Sequence, residues 1–136
     1  MRYLIWISML VLVAGCSTLT TPAQREFEMS RLDSIGYGLR SYFFIHGHFP
    51  STGTNVVVLG QADPAAAGTA SMAMTKKHLH EGRYPDVWGS DYVLETHARN
   101  CRVSSKGADR IQGTDDDFVL RVTPTTQSFV SLPSVK

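Results

Sequence analysis

The hydrophobic pattern of this chain changes period once, from helical to alternating, and that change fixes its fold class. Thr21-Pro22-Ala23-Gln24 is a helix-start signature. Thr21 can cap, Pro22 suits the first helical position, and Gln24 can close a capping box. Beyond it Met29, Leu32, Ile35, Leu39 and Tyr42/Phe43 recur every three or four residues, one apolar stripe along an amphipathic helix. Arg25, Glu26, Asp33 and Arg40 mark its polar side. Gly36 and Gly38 each cost about 1 kcal/mol relative to Ala in a helix interior. They imply either a bend or a close approach by another element. Gly47 and Pro50 end the helix. From Tyr84 onward the pattern is extended. Residues 92–97, 101–105, 118–122 and 128–132 read as strands, with a polar loop over 106–116 and a turn at Thr123-Pro124. The expectation is an α+β domain, with a long N-terminal amphipathic helix packed on a small antiparallel sheet.

Val56–Leu59 is an apolar run that fits a short strand or the inner side of a loop. Asp63-Pro64 can start a second helix running toward His80, with Gly82 as its stop.

The first residues are of another kind. Met1 and Arg2 precede Tyr3–Val13, in which only Ser8 is polar, and Ala14, Gly15 and Cys16 follow. A spanning helix needs roughly 20 apolar residues, so this run reads as a secretory signal with its cleavage site. Val13-Ala14-Gly15-Cys16 resembles the bacterial lipobox. That resemblance implies a lipid on the Cys16 sulfur and cleavage before it. It places the mature chain in the cell envelope, with the outer membrane facing the periplasm favoured by Ser17. The organisation is then a signal peptide over 1–15, a lipidated tether over 16–21 and one domain over 22–136. Each acyl CH2 buried in a bilayer contributes about 0.8 kcal/mol, so several chains give a stable anchor.

Charge excludes some partners. Thirteen Lys and Arg stand against 12 Asp and Glu, which leaves no basic excess for nucleic acid. With Cys16 carrying lipid, Cys101 has no intramolecular disulfide partner and reads as a small buried hydrophobe. His46-Gly-His48 and His78-Leu-His80 could form a zinc site only if the fold joined them; exposed or capping roles suit them better. No nucleophile elbow or phosphate-binding glycine loop is present, and the chain reads as non-enzymatic. Tyr42, Phe43 and Phe44 read as core or helix-packing groups.

Four segments carry a second resemblance. They are Tyr42-Phe-Phe-Ile-His-Gly-His-Phe-Pro50, Tyr84-Pro-Asp-Val-Trp-Gly-Ser-Asp-Tyr92, Val103-Ser-Ser-Lys-Gly-Ala-Asp109 and Gly113-Thr-Asp-Asp-Asp-Phe118. In this order they resemble the C-terminal part of the major pseudopilin of type II secretion systems, general secretion pathway protein G. The resemblance implies a pilin-like head and work beside secretion or pilus-like system proteins. It also implies calcium in the acidic loop, with Asp109 and Asp116 as side-chain ligands and Asp117 as a helper. Clustered hard oxygens on a loop suit calcium on chemical grounds as well; a solvated acidic turn is the other reading of the same residues. Lys106 and Arg110 depart from the family pattern and bring positive charge to the loop. The larger departure is at the N-terminus, where a lipobox replaces the prepilin-peptidase site and the long apolar stem. A tethered single head is therefore expected, rather than a fibre subunit. A calcium- or small-ligand-binding envelope lipoprotein unrelated to secretion is the alternative.

Overall fold

The computed structural model describes residues 20–57, 59 and 83–133. The leader, Cys16, the second helix expected over residues 63–80, and His78 and His80 lie outside the described residues.

Helix α1 (Pro22–His46) begins where its capping residues place it. The Gln24 amide donates to Thr21 Oγ1 at 3.2 Å, and the Thr21 amide donates to Gln24 Oε1 at 3.1 Å. Two otherwise unpaired donors are thereby satisfied, a device that contributes about 1 kcal/mol. At the other end Gly47 turns left-handed, and its amide donates to the Phe43 carbonyl at 2.8 Å.

Four strands follow: β1 (Val93–His97), β2 (Asn100–Ser105), β3 (Phe118–Val122) and β4 (Gln127–Ser131). They form an antiparallel meander in the order β1-β2-β3-β4. The chain is thus an α+β fold of one helix on a four-stranded antiparallel sheet, with α1 lying over β3 and β2. The register explains why that face is buried. Leu94 pairs with Val103, Val103 with Leu120, and Leu120 with Phe129, so one apolar row crosses all four strands. Leu32, Ile35 and Leu39 of α1 join this row in a single core. Each such side chain, fully buried, is worth about 1.5–3 kcal/mol. Cys101 is fully buried in the same core, as the small hydrophobe expected of it.

Close approach explains Gly36. A Cβ there would stand 2.8 Å from both Leu120 Cδ2 and Gln127 Oε1. The absent side chain lets Gln127 reach α1, where its Nε2 donates to the Asp33 carbonyl at 3.1 Å and to Asp33 Oδ1 at 3.2 Å. Arg25 is likewise engaged, donating to the Pro133 carbonyl at 3.0 Å. The polar side of α1 is therefore partly used to hold β4 and its exit.

The segment leaving α1 runs beside β1. The Gly53 amide donates to the Leu94 carbonyl at 2.9 Å, and the Thr96 amide donates to Thr52 Oγ1 at 2.9 Å. The Thr96 hydroxyl closes on the Pro50 carbonyl. Val56 and Val57, at the start of the run that fitted either a strand or the inner side of a loop, are buried in a turn.

One aromatic expectation is corrected. Phe43 packs on Phe49, with ring centroids 4.9 Å apart, but Phe44 is 71% exposed. At about 100° per residue, Phe44 lies roughly 140° around the helix from the buried Leu39, whereas Phe43 lies about 40° from it.

Candidate functional site

The acidic loop between β2 and β3 is built by its own backbone. Gly107 starts it at φ 65°, a conformation that side chains resist. A Cβ there would also collide with the backbone carbonyl of Asp116. That close approach folds the loop back on itself. Asp109, Asp116 and Asp117 each then offer a carboxylate oxygen within 4.8 Å of the others. The three residues singled out from sequence are thus brought together, with Asp109 exposed, Asp116 half-buried and Asp117 buried.

Hydrogen bonds hold each carboxylate. Asp116 Oδ2 accepts from the Asp109 amide at 2.9 Å. Asp117 Oδ2 accepts from the Gly113 amide at 2.7 Å, and Asp109 Oδ1 from the Ile111 amide at 2.7 Å. The Thr114 hydroxyl lies 2.6 Å from Asp116 Oδ1 and 3.3 Å from Asp117 Oδ1. Burial pushes the Asp116 carboxyl up. The Thr114 hydroxyl and the backbone amides around it outweigh that and hold it below its usual value of 3.8. A carboxylate so lowered stabilises the fold above that pH, and its support fades as pH falls through the folded value.

The donor set fits a hard cation. A carboxylate oxygen has two lone pairs, so oxygens that accept one amide retain capacity. Calcium takes six to eight oxygens at about 2.3–2.6 Å, which leaves room for loop carbonyls and water. Among the described residues the one ion pair is Arg83–Asp91, at 2.8 Å. Neither Lys106 nor Arg110 therefore comes within 4.0 Å of these carboxylates, and the loop charge is not cancelled by a direct ion pair.

A second polar centre supports the loop from below. Residues Pro85 and Asp91 bridge to close a corner around Asp86-Val87-Trp88-Gly89-Ser90. Asp86 is 3% exposed. Its Oδ1 accepts from the amides of Trp88 at 3.0 Å and Ser90 at 2.8 Å, and its Oδ2 from the Ser105 hydroxyl at 2.8 Å. The same Ser105 oxygen accepts from the Gly107 amide at 3.3 Å. Through Ser105, Asp86 therefore joins the corner to Gly107 at the base of the acidic loop. Trp88 stacks on Phe118, with ring centroids 5.7 Å apart.

Helix α1 grips the corner with two residues that the sequence reading passed over. Glu28 is fully buried, and its Oε2 accepts from the Val87 amide at 2.9 Å. Arg31 donates to the Pro85 carbonyl at 2.6 Å and lies over the Tyr84 ring at 4.5 Å. The signal for Glu28 was present: it falls in phase with Leu32, Ile35 and Leu39 on the apolar stripe.

Among the described residues the histidines form no comparable centre. His46 and His48 are exposed, their rings 6.2 Å apart beside Tyr42. No family model, curated protein or solved structure matches the chain.

Proposed function

We propose that this chain is a lipid-anchored envelope lipoprotein with a pseudopilin-like head on a long N-terminal helix. It works without catalysis as an interaction component beside a protein-secretion or pilus-like apparatus. The observation that carries the interaction role is the outer face of α1. Phe27, Tyr37, Phe44 and Ile45 are 47, 58, 71 and 49% exposed. At helical spacing all four fall within about a third of the circumference. Single exposed apolar residues are ordinary, but large side chains gathered on one face mark a contact surface. The secretion context rests on the four sequence segments, and the anchor rests on the lipobox. Among the described residues no helix is long and apolar enough to cross a membrane.

The test is capture from envelope extracts in mild detergent, using the tagged full chain. Secretion or pilus-like components should co-purify, and Tyr37→Ser with Phe44→Ser should reduce their recovery at least tenfold. Equal recovery by the variant would reject the helix face as the contact. Palmitate labelling that persists after Cys16→Ser would remove the anchor.

A second reading, calcium binding, is favoured by the convergence of Asp109, Asp116 and Asp117. A site filled to a hundredfold above its dissociation constant stabilises a fold by about 2.7 kcal/mol. Melting should therefore rise by several degrees in millimolar calcium relative to chelator, and Asp109→Asn with Asp117→Asn should abolish the rise. Identical melting curves in calcium and chelator would dismiss the metal.

A further inference from the structure

A buried carboxyl is stored most easily when it is neutral or fully paired, and Glu28 is neither fully paired nor exposed. Its residue surface is 0% accessible. Oε2 accepts one hydrogen bond, from the Val87 amide, whereas Oε1 has no hydrogen-bond partner within 3.5 Å. No Lys, Arg or His nitrogen lies within 4.0 Å of it among the described residues. The cation that acts on it, Arg31 on the same helix, spends its guanidinium on the Pro85 carbonyl and the Tyr84 and Phe27 rings. From the corner the charge that faces Glu28 is Asp86, a second carboxylate. From the residue before β1 the neutral Tyr92 hydroxyl faces the carboxyl without closing a hydrogen bond within 3.5 Å. Asp86 accepts three hydrogen bonds where Glu28 accepts one.

We propose that Glu28 is a proton-operated latch: protonated, it holds α1 against the Val87 corner, and ionised, it loosens that corner together with Trp88. The physical reason is asymmetry between the two charge states. The neutral carboxyl needs no counter-charge and can hydrogen-bond through either oxygen. The ionised carboxyl sits in an apolar core next to another carboxylate, and its cheapest relief is water, which reaches it only if the corner lifts. Burial pushes the Glu28 carboxyl up from 4.5 to about 7; the Tyr92 hydroxyl and Val87 amide pull it down, the Asp86 charge raises it, and Arg31 lowers it. A carboxyl raised in this way holds the fold fully below pH 4.5 and loses its hold as pH rises through about 7. Because Asp86 also holds Ser105, and Ser105 the Gly107 amide, loosening extends toward the base of the acidic loop.

Hydrogen exchange by mass spectrometry on the full chain tests this without any metal or partner. Exchange over residues 84–90 and over 118–122 is compared at pH 5.5, 7 and 8.5, after correction for the intrinsic rate. The corner should open at least tenfold more at pH 8.5 than at 5.5 while β3 stays protected, and Glu28→Gln should remove the difference. Trp88 fluorescence in a Trp6→Phe chain gives a second readout, with a shift centred near pH 7 that Glu28→Gln lacks. A flat profile in the wild-type chain overturns the latch, and so does an equal transition in Glu28→Gln. Loss of protection that spreads evenly over β3 also overturns it, because that is global unfolding.

Discussion

Asp86→Ala is expected to lower the unfolding free energy by about 3–5 kcal/mol, read as a lower urea midpoint at pH 6. The carboxylate is 3% exposed and holds three donors from two parts of the chain. Without it the Trp88 and Ser90 amides and the Ser105 hydroxyl each lose a charged acceptor. A hydrogen bond to a charged group contributes about 1.5–3 kcal/mol, and a buried donor left unpaired costs about 1–3 kcal/mol. The three losses are not additive, since water reaches the half-buried Trp88 and Ser90 once the side chain is gone. Asp86→Asn should lose far less, about 1 kcal/mol. Its amide oxygen can still accept both backbone donors, and its nitrogen can donate to Ser105 Oγ. A small effect of the alanine variant would show that the corner is held by its own turn hydrogen bonds instead. Those run from the Asp86 amide to the Ser90 carbonyl at 2.7 Å and from the Gly89 amide to the Asp86 carbonyl at 3.0 Å.

Phe118→Ala is expected to cost about 3–5 kcal/mol, or on the order of 10–20 °C in melting temperature. Phe118 is fully buried at the start of β3, directly after the acidic loop, and stacks on Trp88. Truncation leaves a cavity against the Trp88 ring, and the surrounding strands cannot collapse into it without giving up register with Ser105. The double variant Asp86→Ala, Phe118→Ala should lose less than the two single losses together, because both act through the seating of Trp88. Full additivity would mean that the corner and the stacking pair are independent.

Much of the architecture was legible because each of its causes is local. The capping box is four adjacent residues, and the apolar stripe is a repeat of three and four. The strands announce themselves by alternation and missed their observed ends by a residue at most in β1, β2 and β4. The acidic loop was legible as a cluster because its aspartates are close in sequence. Phe44 and Glu28 were the two helix positions whose place was not legible, for opposite reasons. Phe44 looked like core because of its chemistry, yet its angular position turns it outward. Glu28 carries a charge, which gives no cue to burial, yet its angular position turns it inward. In both cases the helical phase outweighed residue type.

The sequence by itself determined the helix, its caps, the strand segments and the clustering of aspartates in one loop, since these follow from propensity and spacing along the chain. Only the tertiary structure decided that Gly107 must lack a side chain so that Asp116 can fold back onto it. It also decided that Ser105, the Asp86-Val87 corner and Glu28 form one line of contact from the acidic loop to α1. Those partners lie 19 and 59 residues apart where they are measured, from Ser105 to Asp86 and from Val87 to Glu28. The burial that unsettles the Glu28 charge comes from packing among distant segments. No period along the chain encodes it, and it exists only once α1 has closed over the sheet.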